Sequence, residues 1–310
     1  QTKRIAQELV VNEGVNVIAG FGLTPLAFST APIATQAKVP MVVMSAGTSS
    51  ITEKSPFIVR TSFTLAQSTV PLAKWAAKND IKTVVTVVAD YAPGIDGETS
   101  FKKQFEQDGG KVVESIRVPV ANPDFAPFLQ RVRDAKPDAV FVFVPSGVGS
   151  AFMKQFNERG LAEAGIQLIG TGDVTDDDIL NDMGEVAKGV ITTHIYSAAH
   201  DSAENEAFKK AFKEAGGDRP NFMAVGGWDG MALIYQALEK TGGDTDGTVL
   251  VEAMKGMEWE SPRGPISIDP ETRDIIQNVY YREVKEVDGE LYNVEFGAEE
   301  AVKDPVKAGQ

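Results

Sequence analysis

Short apolar runs alternate with amphipathic segments along the first two thirds of the chain. The same unit recurs four times: an apolar run, a loop of Gly, Ser, Thr and Asp, and a helical pattern. Its apolar runs lie at 15–20, 83–89, 138–144 and 166–170, and the stretch 39–54 has the same form. Continuous Val and Ile runs indicate strands buried on both faces, and their alternation with helices predicts parallel sheets. The pattern therefore predicts an α/β protein of the doubly wound type.

Aromatic side chains recur on one face of two of the predicted helices. Phe101 and Phe105 form one stripe, and Phe152, Met153 and Phe156 form the other. Each stripe ends at a glycine, which is a common signal for the end of a helix. We expect these side chains to lie in the core, and they indicate no cofactor site.

The loops that follow the predicted strands are small, polar and rich in hydroxyl groups. The clearest is SAGTSS at 45–50, after the apolar run VVM, and Ser50 to Glu53 fits the capping-box pattern S-x-x-E at a helix start. Two interpretations are open: a well-capped turn, or a helix N-terminus with hydroxyls that binds a carboxylate or phosphate. Ligands of parallel sheets bind outside the carboxyl ends of the strands. Five such loops at the same edge favour a binding cleft.

The last third of the chain has a different pattern. Amphipathic helices are predicted at 205–217, 228–243 and 249–258, and a hairpin is predicted around the Asp288-Gly289 turn. Tyrosines alternate with charged residues in the hairpin, which indicates an exposed sheet edge. The acidic and then lysine-bearing tail after the hairpin is expected to be solvated.

The chain starts with an amphipathic helical pattern at 2–14. A parallel βα fold starts with a strand, so we expect a first strand and helix to be missing ahead of residue 1.

Length and charge narrow the class of protein. A chain of 310 residues is expected to form two α/β domains. Its 30 basic and 44 acidic residues give a formal charge of −14, which argues against binding to nucleic acid or to an anionic membrane. Without cysteine, the chain has no disulfide, thiolate nucleophile or Cys-based metal site.

Motifs of catalysis are missing from the sequence. The two histidines, His194 and His200, lack helical ligand spacing, and neither H-E-x-x-H, G-x-S-x-G nor a phosphate loop occurs. No cofactor or metal is therefore expected. The acids at 176–178 fit no calcium loop and are interpreted as ordinary acids at a helix N-terminus. His194 and Tyr196 follow an apolar run, either as structural residues at a strand end or as residues that face a ligand.

Several long segments together resemble the leucine/isoleucine/valine-type periplasmic binding proteins, the solute receptors of ABC importers. The resemblance is carried by segments that span the chain in the family's order, at 5–50, 87–97, 124–144, 168–180 and 227–242. It implies the type I periplasmic-binding fold: two doubly wound parallel-sheet lobes, joined by a three-segment hinge, with the ligand in the cleft.

The resemblance also implies where the chain divides. Residues 1–62 and 197–275 are expected to form lobe 1, and residues 63–196 and 276–310 lobe 2. We expect the lobes to close by a hinge motion when ligand binds.

Site residues follow from the same resemblance. Thr24 falls where the family places a hydroxyl facing the ligand. Gly47 and Ser49, within the loop that also holds Ser45 and Thr48, fall where the ligand's carboxylate and ammonium are held. Tyr91 falls at an aromatic residue that closes over the ligand.

The second lobe is expected to contribute the remaining contacts. Asp173 lies at or one residue beyond the acid that pairs with the ammonium. Ser146 lies near a position where leucine binders carry an aromatic residue, which suggests a roomier pocket. His194, Tyr196 and Met223 complete the predicted ligand-binding set.

The predicted function is a non-enzymatic, extracytoplasmic binding protein, periplasmic or lipid-anchored, which passes a small carboxylate to the permease subunits of an ABC importer as a monomer. A branched-chain amino acid is the favoured ligand. An aromatic carboxylate is the alternative, because such a ligand has no ammonium and needs no protein anion to pair with one. The aromatic or apolar wall of its binding site could be formed by Tyr91, Phe222, Met223 and Trp228. His194 or Tyr196 could bind a hydroxyl group on the ligand's ring. A ligand-sensing receptor or regulator of the same fold, or an enzyme, are the competing classes.

Overall fold

The computed structural model describes residues 1–121 and 123–308. The chain forms two compact units. The first unit comprises Gln1–Thr64, Phe222–Asn278 and Ala301–Gln310, and the second comprises Leu65–Asn221 and Val279–Glu300. Each unit contains a parallel sheet with helices packed against it, as predicted for an α/β protein.

The units differ from the predicted lobes at two long segments, and by a few residues at 63–64 and 276–278. The sequence places residues 197–221 in the first lobe, whereas they lie in the second unit, where Arg219 donates a hydrogen bond to the carbonyl of Leu291 at 2.6 Å. The sequence places the last ten residues in the second lobe, whereas they belong to the first unit, where Asp304 accepts a hydrogen bond from Ser49 at 3.2 Å. Both segments are placed in their units by contacts between residues that are far apart in the sequence, which local patterns do not reveal.

The first unit is built on three short parallel strands in the order β1-β2-β3. Its elements are α1 (Thr2–Val11), β1 (Ile18–Gly20), α2 (Thr24–Ala37), β2 (Met41–Val43), a 3-10 helix (Ser49–Lys54), β3 (Ile58–Arg60), α9 (Phe222–Lys240), α10 (Gly247–Met254), β9 (Glu258–Ser261) and β10 (Gly264–Ile268).

Both faces of this sheet are covered. On β2, Met41 and Val43 pack with alanines of α2, whereas Val42 packs on the opposite face with Leu233 of α9 and Leu250 of α10. Successive side chains of a strand point to opposite faces, so a strand covered on both sides needs a continuous apolar run. This confirms the interpretation of the VVM run as a buried strand.

The second unit is built on five parallel strands in the order β5-β4-β6-β7-β8, with β11 antiparallel to β8. Its elements are α3 (Leu65–Lys78), β4 (Thr83–Ala89), α4 (Ala92–Gln107), β5 (Lys111–Val118), α5 (Ala126–Ala135), β6 (Ala139–Phe143), α6 (Gly149–Glu158), β7 (Gln167–Thr171), a 3-10 helix (Gly172–Thr175), α7 (Leu180–Met183), a 3-10 helix (Gly184–Ala187), β8 (Ile191–His194) and α8 (Ala203–Glu214). Two long strands belong to both units. The strand β11 (Ile275–Val287) starts in the first unit and continues in the second, and β12 (Glu290–Val302) starts in the second unit and ends in the first.

The predicted aromatic stripes lie in the core of the second unit. Phe101 stacks on Phe141 of β6 with ring centroids 4.3 Å apart, and Phe105 stacks on Phe101. Phe152 and Phe156 of α6 are buried in the main cluster of this unit. The prediction that these side chains are core residues is confirmed.

The predicted hairpin is confirmed, but its interpretation as an exposed edge is wrong. The turn at Asp288 and Gly289 has φ values of 51° and 86°, as a two-residue turn between right-twisted strands requires. Tyr280 and Arg282 are buried, because β11 pairs with β8 and its Tyr280 lies opposite His194. Tyrosine and charge in alternation thus mark an interior strand here.

The tail is largely exposed, as predicted, but two of its charged side chains are buried. Asp304 is 3% exposed, and the Lys307 ammonium lies 2.6 Å from the Asp274 carboxylate. Residues 309 and 310 lie outside the described residues. Buried partners within the first unit thus hold the described tail in place.

Candidate functional site

The hydroxyl-rich loop of the first unit follows β2 at the carboxyl edge of the sheet. The Thr24 hydroxyl, at the start of α2, lies 2.8 Å from the Thr48 hydroxyl, and both side chains are buried. Ser45 is half-buried, and its hydroxyl donates to the carbonyl of Gly22 at 3.4 Å. The structure thus brings Thr24 and Thr48 into contact and places the Ser45 hydroxyl beside Gly22.

These hydroxyls are less open than the sequence suggests. The Ser49 hydroxyl donates to Asp304, so its proton is already in use. A bonded pair such as Thr24 and Thr48 uses one of its two protons and leaves the second available to an acceptor. The pair can therefore donate to a ligand carboxylate, whereas Ser49 can accept.

The capping box predicted at Ser50–Glu53 is wrong. The helix here is a 3-10 helix, Ser49–Lys54, so Ser50 lies inside it. Its N-cap is Thr48, whose side chain makes no capping bond because it is paired with Thr24. Contacts other than a side-chain capping bond therefore stabilise this turn.

Arg60 holds the loop from the inside. Its guanidinium is fully buried and donates to the carbonyls of Thr48 at 2.6 Å and Ala46 at 3.2 Å. Its Nε lies 2.9 Å from the carboxylate of Asp274, which supplies the counter-charge. Arginine fixes the carbonyls of Ala46 and Thr48, and so the backbone on both sides of Gly47.

The second unit places its predicted site residues at the carboxyl edge of neighbouring strands. Tyr91 follows β4, Ser146 follows β6, Asp173 follows β7, and His194 ends β8. These four strands are consecutive in the sheet. This edge is where parallel α/β sheets bind ligands.

Tyr91 presents a partly exposed ring at this edge. The ring stacks on Phe143, the last residue of β6, with centroids 6.1 Å apart and planes 15° from parallel. Burial, and secondarily the nearby negative charge of Asp173, raise the pKa of the Tyr91 phenol well above its usual value. The phenol therefore stays neutral and offers a flat aromatic surface.

Asp173 is a buried acid close to that ring. It is 5% exposed, and its Oδ2 has no hydrogen-bond partner among residues 1–121 and 123–308. Burial raises its pKa to about 6, against the opposing effects of the Thr171 hydroxyl and the positive charge of Arg282. A buried acceptor without a donor costs folding free energy, which is typical of a functional position.

The interpretation of Asp176 and Asp177 as ordinary helix N-terminal acids is wrong, because both are buried. Asp176 accepts hydrogen bonds from Ser146 and from the amide of Asn221, the latter at 3.1 Å, and burial raises its pKa well above the usual value. Asp177 accepts from the amide of Asn293 at 3.1 Å. Within the described ranges, no group of three or more His, Asp or Glu residues is arranged to hold a metal ion.

Arg282 is the buried cation beside Asp173, Asp176 and Asp177, which together form an acidic cluster. Its guanidinium donates to the carbonyl of Tyr196 at 2.5 Å and to the hydroxyl of Thr192 at 3.1 Å, and it lies 3.8 Å from the carboxylate of Asp177. A Cβ on Gly172 would lie 2.1 Å from an Arg282 nitrogen. Glycine at 172 is therefore what allows the guanidinium to approach the backbone beside Asp173.

Three predicted residues differ in burial. Tyr196 is fully buried, and its hydroxyl donates to Asn205 at 2.9 Å, so it serves the interior of the second unit. His194 is also fully buried, beside Gly172. Met223 lies on α9 of the first unit and is 39% exposed.

The candidate aromatic wall is divided in the same way. Phe222 is buried and meets Phe63 edge to face at 5.6 Å. Trp228, on the same helix, is 47% exposed.

Sequence reasoning missed the buried charges. Arg60 ends the apolar strand Ile58–Arg60, whereas Arg282 lies among other charged residues of β11, and their partners Asp274 and Asp177 are distant in sequence. An isolated arginine in an apolar run is the one signal that could have indicated Arg60, because a buried guanidinium needs a partner. No such signal marks Arg282.

Hydroxyl groups at strand ends in one unit, and an aromatic ring beside a buried acid in the other, are the features of a protein that binds small molecules. The family described as periplasmic binding protein matches residues 1–290. The chain belongs to this family, and the predicted class, a solute-binding protein of an ABC transporter with the type I periplasmic fold, is confirmed. Membership implies an extracytoplasmic protein that binds small molecules.

Relatives with known names and structures support this assignment. Leu/Ile/Val-binding protein homolog 6 of Brucella abortus (strain 2308) is 50% identical over 309 residues, covering 98% of this chain and 79% of its own. A solute-binding protein of an ABC transporter from Rhodopseudomonas palustris BisB5, in complex with 3,4-dihydroxybenzoic acid, is 66% identical with a TM-score of 0.97, covering 99% of this chain and 84% of that chain.

Another solute-binding protein of an ABC transporter, from Rhodopseudomonas palustris HaA2 in complex with p-hydroxybenzoic acid, is 48% identical with a TM-score of 0.98, covering 100% of this chain and 85% of that chain.

In the part of the chain that the structure describes, no helix has the length and apolar character to cross a membrane.

Proposed function

We propose that this protein binds an aromatic carboxylate of the hydroxybenzoate type and delivers it to the permease subunits of an ABC importer. The observation that carries the proposal is the Tyr91 ring, partly exposed, stacked on Phe143 and close to Asp173 at the carboxyl edge of the second unit's sheet. A flat ring surface next to a polar group suits an aromatic ligand with a polar substituent. Two similar solute-binding proteins, at 66% and 48% identity, are in complex with hydroxylated benzoic acids.

The first unit offers groups suited to a carboxylate. The hydroxyl pair of Thr24 and Thr48 retains one proton for an acceptor, and Arg60 fixes the carbonyls on both sides of Gly47. Hydrogen bonds to a charged acceptor are worth about 1.5–3 kcal/mol each, and micromolar binding needs about 8 kcal/mol in total after association costs. A few such bonds together with ring burial suffice.

The branched-chain amino acid favoured by the sequence is the second candidate. The name of the 50% identical Brucella relative supports it, and Asp173 could serve as the anion opposite an ammonium. The aromatic ligand is preferred because the more similar chain carries one.

We further propose that the protein acts as a monomer in the periplasm, or anchored by lipid outside the membrane, and returns its ligand unchanged. The two histidines support the absence of catalysis: His200 is paired with Glu295 at 2.9 Å, and His194 is fully buried. Turnover of 4-hydroxybenzoate, detected by chromatography after long incubation, would contradict this role.

A thermal-shift screen tests the ligand class. Benzoate, 4-hydroxybenzoate and 3,4-dihydroxybenzoate are compared with leucine, isoleucine and valine, because a ligand that binds the folded state stabilises it by RT ln(1 + [L]/Kd). We expect the hydroxybenzoates to raise Tm and the amino acids to leave it unchanged.

The variant Thr24→Val tests the carboxylate contact in the same screen. Loss of the hydroxyl should reduce the shift for every aromatic acid, whereas Thr35→Val, an exposed position on the same helix, should not. A Tm raised by leucine alone would contradict the proposal.

A further inference from the structure

We propose that the carboxylate of Asp173 accepts a hydrogen bond from a ring hydroxyl of the ligand, so that Asp173 selects hydroxylated benzoates over benzoate itself. The inference rests on the proposed aromatic-carboxylate function and assigns the residue that recognises the ring substituent. Its basis is the buried Oδ2 of Asp173, which has no hydrogen-bond partner among the residues that the structure describes and lies next to the aromatic side chain of Tyr91.

The orphaned oxygen is specific to Asp173 within the acidic cluster. Asp176 is equally buried, but it is engaged by Ser146, Asn221 and the backbone N–H of Asp177. Asp177 is engaged by Asn293 and lies 3.8 Å from Arg282. Of these three acids, Asp173 alone keeps a carboxylate oxygen without a hydrogen-bond partner among the residues that the structure describes.

The backbone at Asp173 is fixed, which suits a recognition group. Asp173 lies in the 3-10 helix Gly172–Thr175, directly after β7. Gly172 packs so closely on Arg282 and His194 that a Cβ would lie 2.1 Å and 2.3 Å from their side chains. The backbone that carries this carboxylate is therefore fixed before the ligand arrives, which reduces the entropy lost on binding.

A ring hydroxyl supplies what this oxygen lacks. A phenol O–H that donates to a carboxylate forms a short, charge-assisted hydrogen bond. Benzoate would enclose the same oxygen without a donor, and an unsatisfied buried acceptor is costly. The hydroxyl is expected to improve affinity by about tenfold to a hundredfold, as charge-assisted hydrogen bonds typically do.

The assignment differs from the sequence-based alternative, in which His194 or Tyr196 meets a ring hydroxyl. Tyr196 already donates its hydroxyl proton to Asn205. His194 is fully buried next to Gly172. Asp173 is the polar group whose charge acts on Tyr91.

The test is isothermal titration calorimetry with benzoate, 4-hydroxybenzoate, 3,4-dihydroxybenzoate and leucine. Two variants are titrated beside the wild type: Asp173→Leu removes the acceptor and keeps the branched shape of the side chain, and Asp173→Asn keeps a neutral acceptor. The matched control is Asp176→Asn, a buried acid of the same loop whose oxygens have protein partners.

We expect the wild type to bind at least one hydroxybenzoate tenfold or more tightly than benzoate. The preference should fall to within about threefold in Asp173→Leu and to an intermediate value in Asp173→Asn, while benzoate affinity changes little. Asp176→Asn should keep the preference. If one Asp173 variant does not fold, the other gives the answer.

Three results would overturn the inference. Equal binding of benzoate and both hydroxybenzoates by the wild type, or an unchanged preference in the Asp173 variants, would remove Asp173 as the selecting group and leave the proposed function intact. Loss of benzoate binding by folded Asp173 variants would show a general structural role. If leucine binds the wild type and none of the aromatic acids does, the proposed function itself fails.

Discussion

At the scale of single residues, burial of Asp173 couples the stability of the protein to pH. Its pKa in the folded protein is raised to about 6, whereas the ordinary value is 3.8. The folded state therefore binds this proton more tightly than the unfolded chain does. It follows that the contribution of Asp173 to stability is greatest below about pH 4 and is lost as the pH rises through about 6.

This coupling predicts that Asp173→Asn stabilises the ligand-free protein at neutral pH. One pKa unit corresponds to about 1.4 kcal/mol, so the free energy of unfolding at pH 7.5 should rise by up to about 3 kcal/mol, and the gain should shrink toward zero at pH 4. Urea denaturation at the two pH values measures this. Asp178→Asn, at an exposed position of the same loop, is the control and should change little. A variant less stable than the wild type at pH 7.5 would show that the carboxylate serves the fold.

Part of the candidate site follows from residue patterns alone. Small hydroxyl-bearing residues after a buried strand led to the loop that holds Thr48, and the resemblance led to Thr24, Tyr91 and Asp173. The role of Arg60 could not be predicted, because its carbonyl partners are set by how the loop folds back over β3. Pairing between distant residues is invisible to local periodicity.

At the scale of elements, the last residues of the chain fasten the first unit. The Lys307 ammonium lies 2.6 Å from Asp274 and 2.7 Å from the hydroxyl of Thr52, at the 3-10 helix that follows the hydroxyl-rich loop. Asp274 also pairs with Arg60, which holds that loop. The tail thus completes a buried charge network around the candidate site of the first unit.

Lys307→Met should therefore destabilise the protein. Asp274 would keep Arg60 but lose its second cation, and we expect a loss of roughly 1–3 kcal/mol, less than for a buried carboxylate left wholly unpaired. Urea denaturation with a constant m-value measures it. The matched control is Lys303→Met, whose side chain is 58% exposed and pairs with Asp269 at 3.0 Å; it should be nearly neutral. Equal effects of the two substitutions would contradict the network.

Elements with strong periodicity were predicted well, and those that depend on partners were not. The apolar run at 83–89 is β4, and the Asp288-Gly289 turn joins β11 to β12. The prediction that β11 is exposed was wrong because a charged residue such as Arg282 indicates a surface position in the sequence. Its buried partners, the Tyr196 carbonyl and the Thr192 hydroxyl, are known only from the structure. The same holds for Asp304 and Lys307 in the otherwise exposed tail, whose charges are paired only within the folded first unit.

At the scale of the whole molecule, both units use one design. Each carries a parallel sheet with its candidate binding residues at the carboxyl ends of the strands, where backbone groups and helix starts meet a ligand. Alternation of apolar runs and helices was enough to predict this architecture. The ligand itself depends on a few side chains, and so pattern alone left the amino acid and the aromatic acid open.

The central claim is that the chain binds a hydroxylated aromatic carboxylate, and direct titration of the whole protein is the closest test. Calorimetry with 4-hydroxybenzoate or 3,4-dihydroxybenzoate, in protein first unfolded and refolded to remove any carried-over ligand, should give one site per chain. We expect a Kd of about a micromolar or tighter, equivalent to at least about 8 kcal/mol, and no heat with leucine. Stoichiometric binding of leucine, with no heat from either aromatic acid, would contradict the account.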